Sequence, residues 1–325
     1  MYEGLLIVLC PLFVGYLIKT QNKILLTSIN HILMILLYII LFIMGFSLGQ
    51  LDDLAKKLPV IAISAATFAI LIQSFNLVGL IAYDRFSPKP LKKVTGEMPS
   101  RWKLLFDSGK LCAMVLLGAF IGYVIKGKFS LPEHASTYVL VCLIFSVGIQ
   151  LRNNGIALRD VLFNKRGLIT GVIFIITSLL GGLLAAILLK LPLTQGLAIA
   201  SGFGWYSLSS VLINDAWGPM FGSIAFFNDL SREIVSLFLI PFLMQNHRSS
   251  AVGISGATAL DCTLPIIQKA GGIEVVPLAI SFGFITNILP PILLVFFLFS
   301  NLAWDVAMLY SHYFFISCKR ILCLL

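Results

Sequence analysis

The chain has 325 residues, 59% of them hydrophobic and only 11% charged, with a formal net charge of +9 and a mean hydropathy of +1.00. A soluble protein of this length needs far more polar surface, so the composition excludes one and points to an all-α polytopic membrane protein. Most of the positive charge sits in two loops between apolar runs, as membrane topology alone requires, so it implies no nucleic-acid partner.

Apolar runs of roughly spanning length cover residues 4–18, 25–49, 60–83, 104–125, 136–150, 167–189, 195–213, 218–244, 251–267 and 275–300, which gives about ten membrane segments. The first carries Glu3 in place of a basic leader region and lacks an A-x-A-like cleavage site, so it reads as a retained span. Pro11 and Gly15 interrupt the first run, and Gly253, Gly256 and Pro265 interrupt 251–267. Eight full spans plus re-entrant pieces is therefore the alternative count. Ten segments divide into five and five, and an odd number per half starts the second half on the opposite face, as in inverted repeats. This predicts one transporter domain over 1–300, with repeat halves 1–150 and 167–300. The fourth segment of each half is the expected broken helix, interrupted by Asp107-Ser108-Gly109 in the first and by Gly253, Gly256, Asp261 and Pro265 in the second. Residues 301–325 read as an accessory tail whose apolar part is too short to span.

Orientation follows from Lys and Arg. Thirteen lie in the loops 84–110 and 151–166 together with Lys19 and Lys23, against five (Lys56, Lys57, Lys126, Lys128 and Lys190) in the intervening loops. The richer set faces the cytoplasm, which places the N-terminus outside.

Three polar groups lie within apolar runs, where ionisable residues are costly and usually functional. Asn228, Asp229, Arg232 and Glu233 form the first, and Asp229 and Glu233 share a helix face at a spacing of four. Its structural alternative is an internal ion pair. In the second, Thr258 to Thr263, Asp261 is the only charge. The third, Ser201-Gly-Phe-Gly-Trp-Tyr-Ser, offers small residues for close backbone approach and Trp205 and Tyr206 for stacking on a cation. Gly148-Ile-Gln-Leu-Arg-Asn-Asn-Gly155 fits a helix end as well as a gate, and His31 fits a hydrogen-bonded packing residue.

An enzyme is disfavoured. Gly253-Ile-Ser-Gly256 has the G-x-S-G pattern of intramembrane serine proteases, but the only downstream histidine is His312. Asp52-Asp53 lacks the further aspartate of metal-diphosphate enzymes, and there is no H-E-x-x-H. The six cysteines show no C-x-x-C spacing, so neither disulfide, metal nor cofactor is expected.

The strings Gly148 to Gly155, Ala200-Ser-Gly-Phe-Gly-Trp-Tyr-Ser-Leu-Ser209, Ala225-Phe-Phe-Asn-Asp-Leu230 with Arg232-Glu233, Gly256-Ala-Thr258 with Asp261 and Thr263-Leu-Pro265, and the opening Gly4 to Ile18, resemble the bacterial lysine exporter family LysO. The resemblance runs from Met1 to about Ser300 and implies an inner-membrane exporter of L-lysine and thialysine. Its paired intramembrane acids correspond to Glu233 and Asp261. Another cationic amino acid or small organic solute is the alternative cargo. A carboxylate in a low-dielectric site needs neutralising by a proton or another cation. Competition between H⁺ and Lys⁺ for these acids would couple export to proton entry, with Na⁺ as the alternative coupling ion. Arg232 or a helix N-terminus is the expected partner for the substrate's carboxylate.

Overall fold

The computed structural model describes residues 10–11, 13–20, 22–86, 101–126, 129, 131–132, 135–153, 164–260 and 262–322. Every regular element among them is helical: α1 Lys23–Gly49, α2 Leu54–Phe86, α3 Arg101–Val124, α4 Ala135–Asn153, α5 Lys165–Leu189, α6 Leu193–Ala200, α7 Tyr206–Trp217, α8 Pro219–Leu243, α9 Arg248–Gly253, α10 Leu264–Gly271 and α11 Val276–Leu322, with short 3-10 turns at Gly256–Leu260 and Ile273–Val275. Among the described residues four stretches, Leu25–Gly49, Leu54–Phe86, Lys165–Leu189 and Val276–Phe299, are long and apolar enough to cross a membrane. Helix α8 has 25 residues, a spanning length of about 37 Å, but holds three ionisable side chains.

The helices are inside-out by the standard of a soluble protein. On α2 the exposed face carries Ile63, Ile70 and Val78, whereas Ser64, Gln73, Asn76 and Asp84 are buried against neighbouring helices. Such a pattern suits a hydrocarbon solvent, in which the polar face must turn inward. Helices α1 and α3 pack backbone to backbone: a Cβ on Gly45 or Gly49 would be driven into the carbonyls of Val115 and Ala119, and one on Gly118 into that of Phe42. Small residues at four-residue spacing permit this approach where no hydrophobic force drives helices together.

Two segments expected as spans are instead hairpins of short helices. Helices α6 and α7 have 8 and 12 residues, about 12 and 18 Å, and α9 and α10 have 6 and 8, about 9 and 12 Å. None reaches the ~30 Å of a bilayer core. Helix α5 runs antiparallel to α2, since Arg166 meets Asp84 and Gly181 meets Ile72. The start of α6 therefore lies at the end of the bundle where α2 begins, and α7 returns there, with Asn214 and Asp215 sharing a cavity with Gln50 and Leu51. The second hairpin enters from the other end. The Ser249 and Ser250 amides of α9 donate to Asp84, and α10 returns to place Gly271 against Met244 at the end of α8.

The hairpin tips meet inside the bundle. The Ala257 amide donates to the Phe203 carbonyl at 2.8 Å, with Phe203 at φ 52° and Gly256 at φ 61°. Asn287 Nδ2 on α11 donates to the Ala257 carbonyl at 2.9 Å, fixing the second tip to a long helix.

One expectation changes. Helix α3 is continuous through Asp107-Ser108-Gly109; Ser and Gly within a helix cost about 1 kcal/mol or less each, and no proline enforces a break. Among the described residues the two hairpins lie between 193 and 271, and α11 runs without a break through Ser300 to Leu322.

Candidate functional site

Helix α8 opens with Gly218 at φ 87° and Pro219 in its first turn, a residue pre-set for helical φ where no amide partner is required. Asp229 lies ten residues in, about 15 Å from that end, and Glu233 about 21 Å, so both sit near the middle of the helix. Asp229, Arg232, Glu233 and Ser236 form one stripe at helical spacing, 0%, 2%, 5% and 0% exposed.

Asp229 is a hydrogen-bond hub. Its carboxylate accepts the Gly204 amide at 3.2 Å, the Ser209 hydroxyl at 2.6 Å and Asn228 Nδ2 at 3.0 Å, so it ties α8 to the first hairpin tip. Arg232 Nη1 lies 3.5 Å from the same carboxylate, an ion-pair distance too long for a strong hydrogen bond. The Arg232 guanidinium sits 5.7 Å from the centre of the Phe174 ring. That ring stands edge-on to Phe203 of the first tip and to Phe282 of α11. Gln73 Nε2 reaches from α2 to the carbonyls of Arg232 and Ile254, bracing α8 against the second hairpin.

The sequence-derived candidates divide accordingly. Asn228, Asp229, Arg232 and Glu233 are brought together and buried. Thr258 donates to the Ser255 carbonyl, and Thr263 donates to that of Thr258; both close the second tip. Asp261, between them, lies outside the described residues. Trp205 precedes α7 and accepts the Leu208 and Ser209 amides through its carbonyl. Tyr206 packs edge-on against Phe226 at 5.8 Å. The ring beneath the buried cation is Phe174, which sequence reasoning passed over. Gln73 and Asn76 were passed over too, although two amides three residues apart in an apolar run are a legible signal.

A second charged cluster closes the end where α9 begins. Asp84 accepts the Ser249 and Ser250 amides, the Ser250 hydroxyl and Arg166 Nη2, the last at 2.7 Å. Arg166 Nε also donates to Ser249. A carboxylate on the free amides of a helix's first turn is favourable. At the same end Asn153 accepts the Thr20 amide and donates to the Ile18 carbonyl, so the Leu-Arg-Asn string is a helix-end latch. The opposite end holds a cavity of about 340 Å³ lined by Ser47, Gln50, Asn214, Asp215 and Pro219 among others. It is separated along α8 from the buried charges by the ~15 Å between Pro219 and Asp229. Nearby, Lys126 bonds Asp52 at 2.6 Å and holds that exposed carboxyl below its usual range.

The family described as lysine exporter LysO matches residues 112–298, a range that includes both hairpins and α8. The chain is 45% identical to "Lysine exporter LysO" of Escherichia coli (strain K12) over 297 residues, covering 91% of this chain and 99% of that protein. It is 64% identical over 188 residues to "Putative lysine exporter" of Haemophilus influenzae (strain Rd), covering 58% of this chain and 96% of that one. No solved structure matches it.

Proposed function

We propose that this chain, which belongs to the lysine exporter LysO family, exports L-lysine and its analogue thialysine across the bacterial inner membrane in exchange for protons. The observation that carries the reading is the buried Asp229-Arg232-Glu233 stripe at the centre of α8, where two hairpins interrupt the bundle. Discontinuous helices meeting at mid-bundle are the form that secondary-transporter binding sites take, because helix ends supply charge-binding groups that continuous helices withhold.

Within this reading Glu233 and Asp261 hold either a proton or the ammonium of the substrate. Asp229, saturated by Gly204, Ser209 and Asn228, anchors the first tip and balances Arg232. Exclusive occupancy by H⁺ or Lys⁺ couples the two fluxes without further machinery. The membrane potential, negative inside, opposes cation exit by about 2.3 kcal/mol per 100 mV. One proton entering per Lys⁺ leaving removes that burden.

The topology we propose has eight crossings and two re-entrant hairpins, with both ends of 1–300 outside and 301–325 as an accessory extension. The Asp84-Arg166 end then faces the cytoplasm. Thialysine resistance in a strain lacking its own lysine exporter tests the function: expression of this chain should restore growth and lower cell lysine. Unchanged sensitivity at normal membrane abundance would refute it.

A further inference from the structure

Several buried polar atoms around the crossing have no hydrogen-bond partner. The donors are Arg232 Nε and Nη1, Asn76 Nδ2 and Ser255 Oγ; the acceptors are Gln73 Oε1 and Asn228 Oδ1. Each parent side chain is at least nine-tenths buried. Buried unpaired polar groups cost about 1–3 kcal/mol each, more when charged, so several in one region require an explanation. They belong to one neighbourhood. Gln73 Nε2 bonds the backbone of both Arg232 and Ile254, and Ser255 follows Ile254. The Phe174 ring under Arg232 borders Gly256, and Thr177, one turn along from Phe174, donates to Asn76 Oδ1.

The orientations are fixed by bonds already made. Because its Nε2 is spent on two carbonyls, Gln73 has only Oε1 left to offer. Because Asn76 Oδ1 accepts from Thr177 and Ser178, its Nδ2 is what remains. Asn228 likewise spends Nδ2 on Asp229. Asp229 already has three donors, and at 3.5 Å its ion pair with Arg232 leaves Nε and Nη1 of the guanidinium without a hydrogen bond; an arginine's planar fork matches a carboxylate bidentately.

We infer that this cluster is the receptor for the α-amino-acid head of the cargo. Arg232, helped by Ser255 and Asn76, takes the α-carboxylate, while Gln73 Oε1 and Asn228 Oδ1 accept from the α-ammonium. This rests on the exporter reading above and divides the labour within it: the acids neutralise the side-chain ammonium, and the head site admits amino acids while rejecting diamines that lack a carboxylate. Rejection follows because a diamine offers no carboxylate to the Arg232 Nε and Nη1 donors, which stay without a hydrogen bond, and sites built to pair a polar group discriminate strongly against analogues without it.

The test is uptake of labelled L-lysine into inverted vesicles, competed by unlabelled L-lysine, L-lysine amide, Nα-acetyl-L-lysine and cadaverine. With the wild type, cadaverine and the amide should compete at least about tenfold more weakly than lysine, and Nα-acetyl-lysine should be weakened similarly. Arg232→Gln should raise the KM for lysine at least about tenfold and bring the amide and lysine to near parity, with Arg232→Lys intermediate. Gln73→Met should reduce the penalty on Nα-acetylation. Cadaverine competing as well as lysine in the wild type would overturn the inference without any variant. So would an Arg232→Gln protein that transports lysine and still rejects the amide. If Arg232→Gln is absent from the membrane, the wild-type panel decides alone. If wild-type vesicles accumulate no lysine, the exporter reading itself falls, a result distinct from either.

Discussion

Gly256→Ala and Gly204→Ala separate the contact between the two hairpin tips from the backbone strain that both glycines relieve. Each has positive φ, 61° and 92°, so an L side chain costs about 1–2 kcal/mol at either position. Their surroundings differ. A Cβ at Gly204 meets nothing closer than the Ser255 carbonyl at 3.8 Å, whereas one at Gly256 is driven into the Phe203 carbonyl and lies 3.3 Å from Phe174 Cζ. Relieving that clash separates the tips and breaks the Ala257 to Phe203 bond, leaving two buried backbone groups unpaired at about 1–3 kcal/mol each. Gly256→Ala should therefore cost about 3–8 kcal/mol and Gly204→Ala about 1–2 kcal/mol. Thermal melting in detergent should rank them in that order, and only Gly256→Ala should abolish efflux at normal abundance. Equal melting temperatures, or wild-type efflux by Gly256→Ala, would refute the crossing.

Glu233→Gln and Asp261→Asn preserve shape and remove charge, so each should abolish thialysine resistance with normal membrane abundance by immunoblot. Asp229→Asn should instead lower thermal stability more than it alters the KM, because it weakens three hydrogen bonds and an ion pair. Arg166→Gln, which leaves Asp84 without its cation beneath α9, should destabilise the protein by about 3–5 kcal/mol, read as a lower melting temperature that Asp84→Asn in the same chain partly restores. A cysteine at Lys56 should react with an impermeant thiol reagent in intact cells and one at Lys92 should be protected; the reverse pattern would invert the orientation.

The buried acids were legible in the sequence because three ionisable residues inside an apolar run contradict their surroundings. The two hairpins were only half legible. Gly253, Gly256 and Pro265 mark the second, but Leu193–Ala200 and Tyr206–Trp217 together have the length and polarity of one span, and they are divided at Gly202 to Gly204, where Phe203 and Gly204 take positive φ and the Phe203 carbonyl accepts the Ala257 amide. Asp107-Ser108-Gly109 shows the converse error, since the small propensity cost of Ser and Gly does not break a helix that has no proline to enforce it. Gln73, Asn76 and Phe174 lie far in sequence from Arg232, so no local pattern assigns them to one site. Spacing does not reveal which of a polar residue's bonds are already spent.

Lysine uptake into inverted vesicles with an imposed pH gradient and a clamped membrane potential tests the central claim most directly. With the vesicle lumen, equivalent to the outside, acidic relative to the medium, labelled lysine should accumulate above its external concentration, and accumulation should collapse with a protonophore and in Glu233→Gln. Accumulation that ignores the pH gradient, or that follows only a sodium gradient, would contradict proton exchange through these acids.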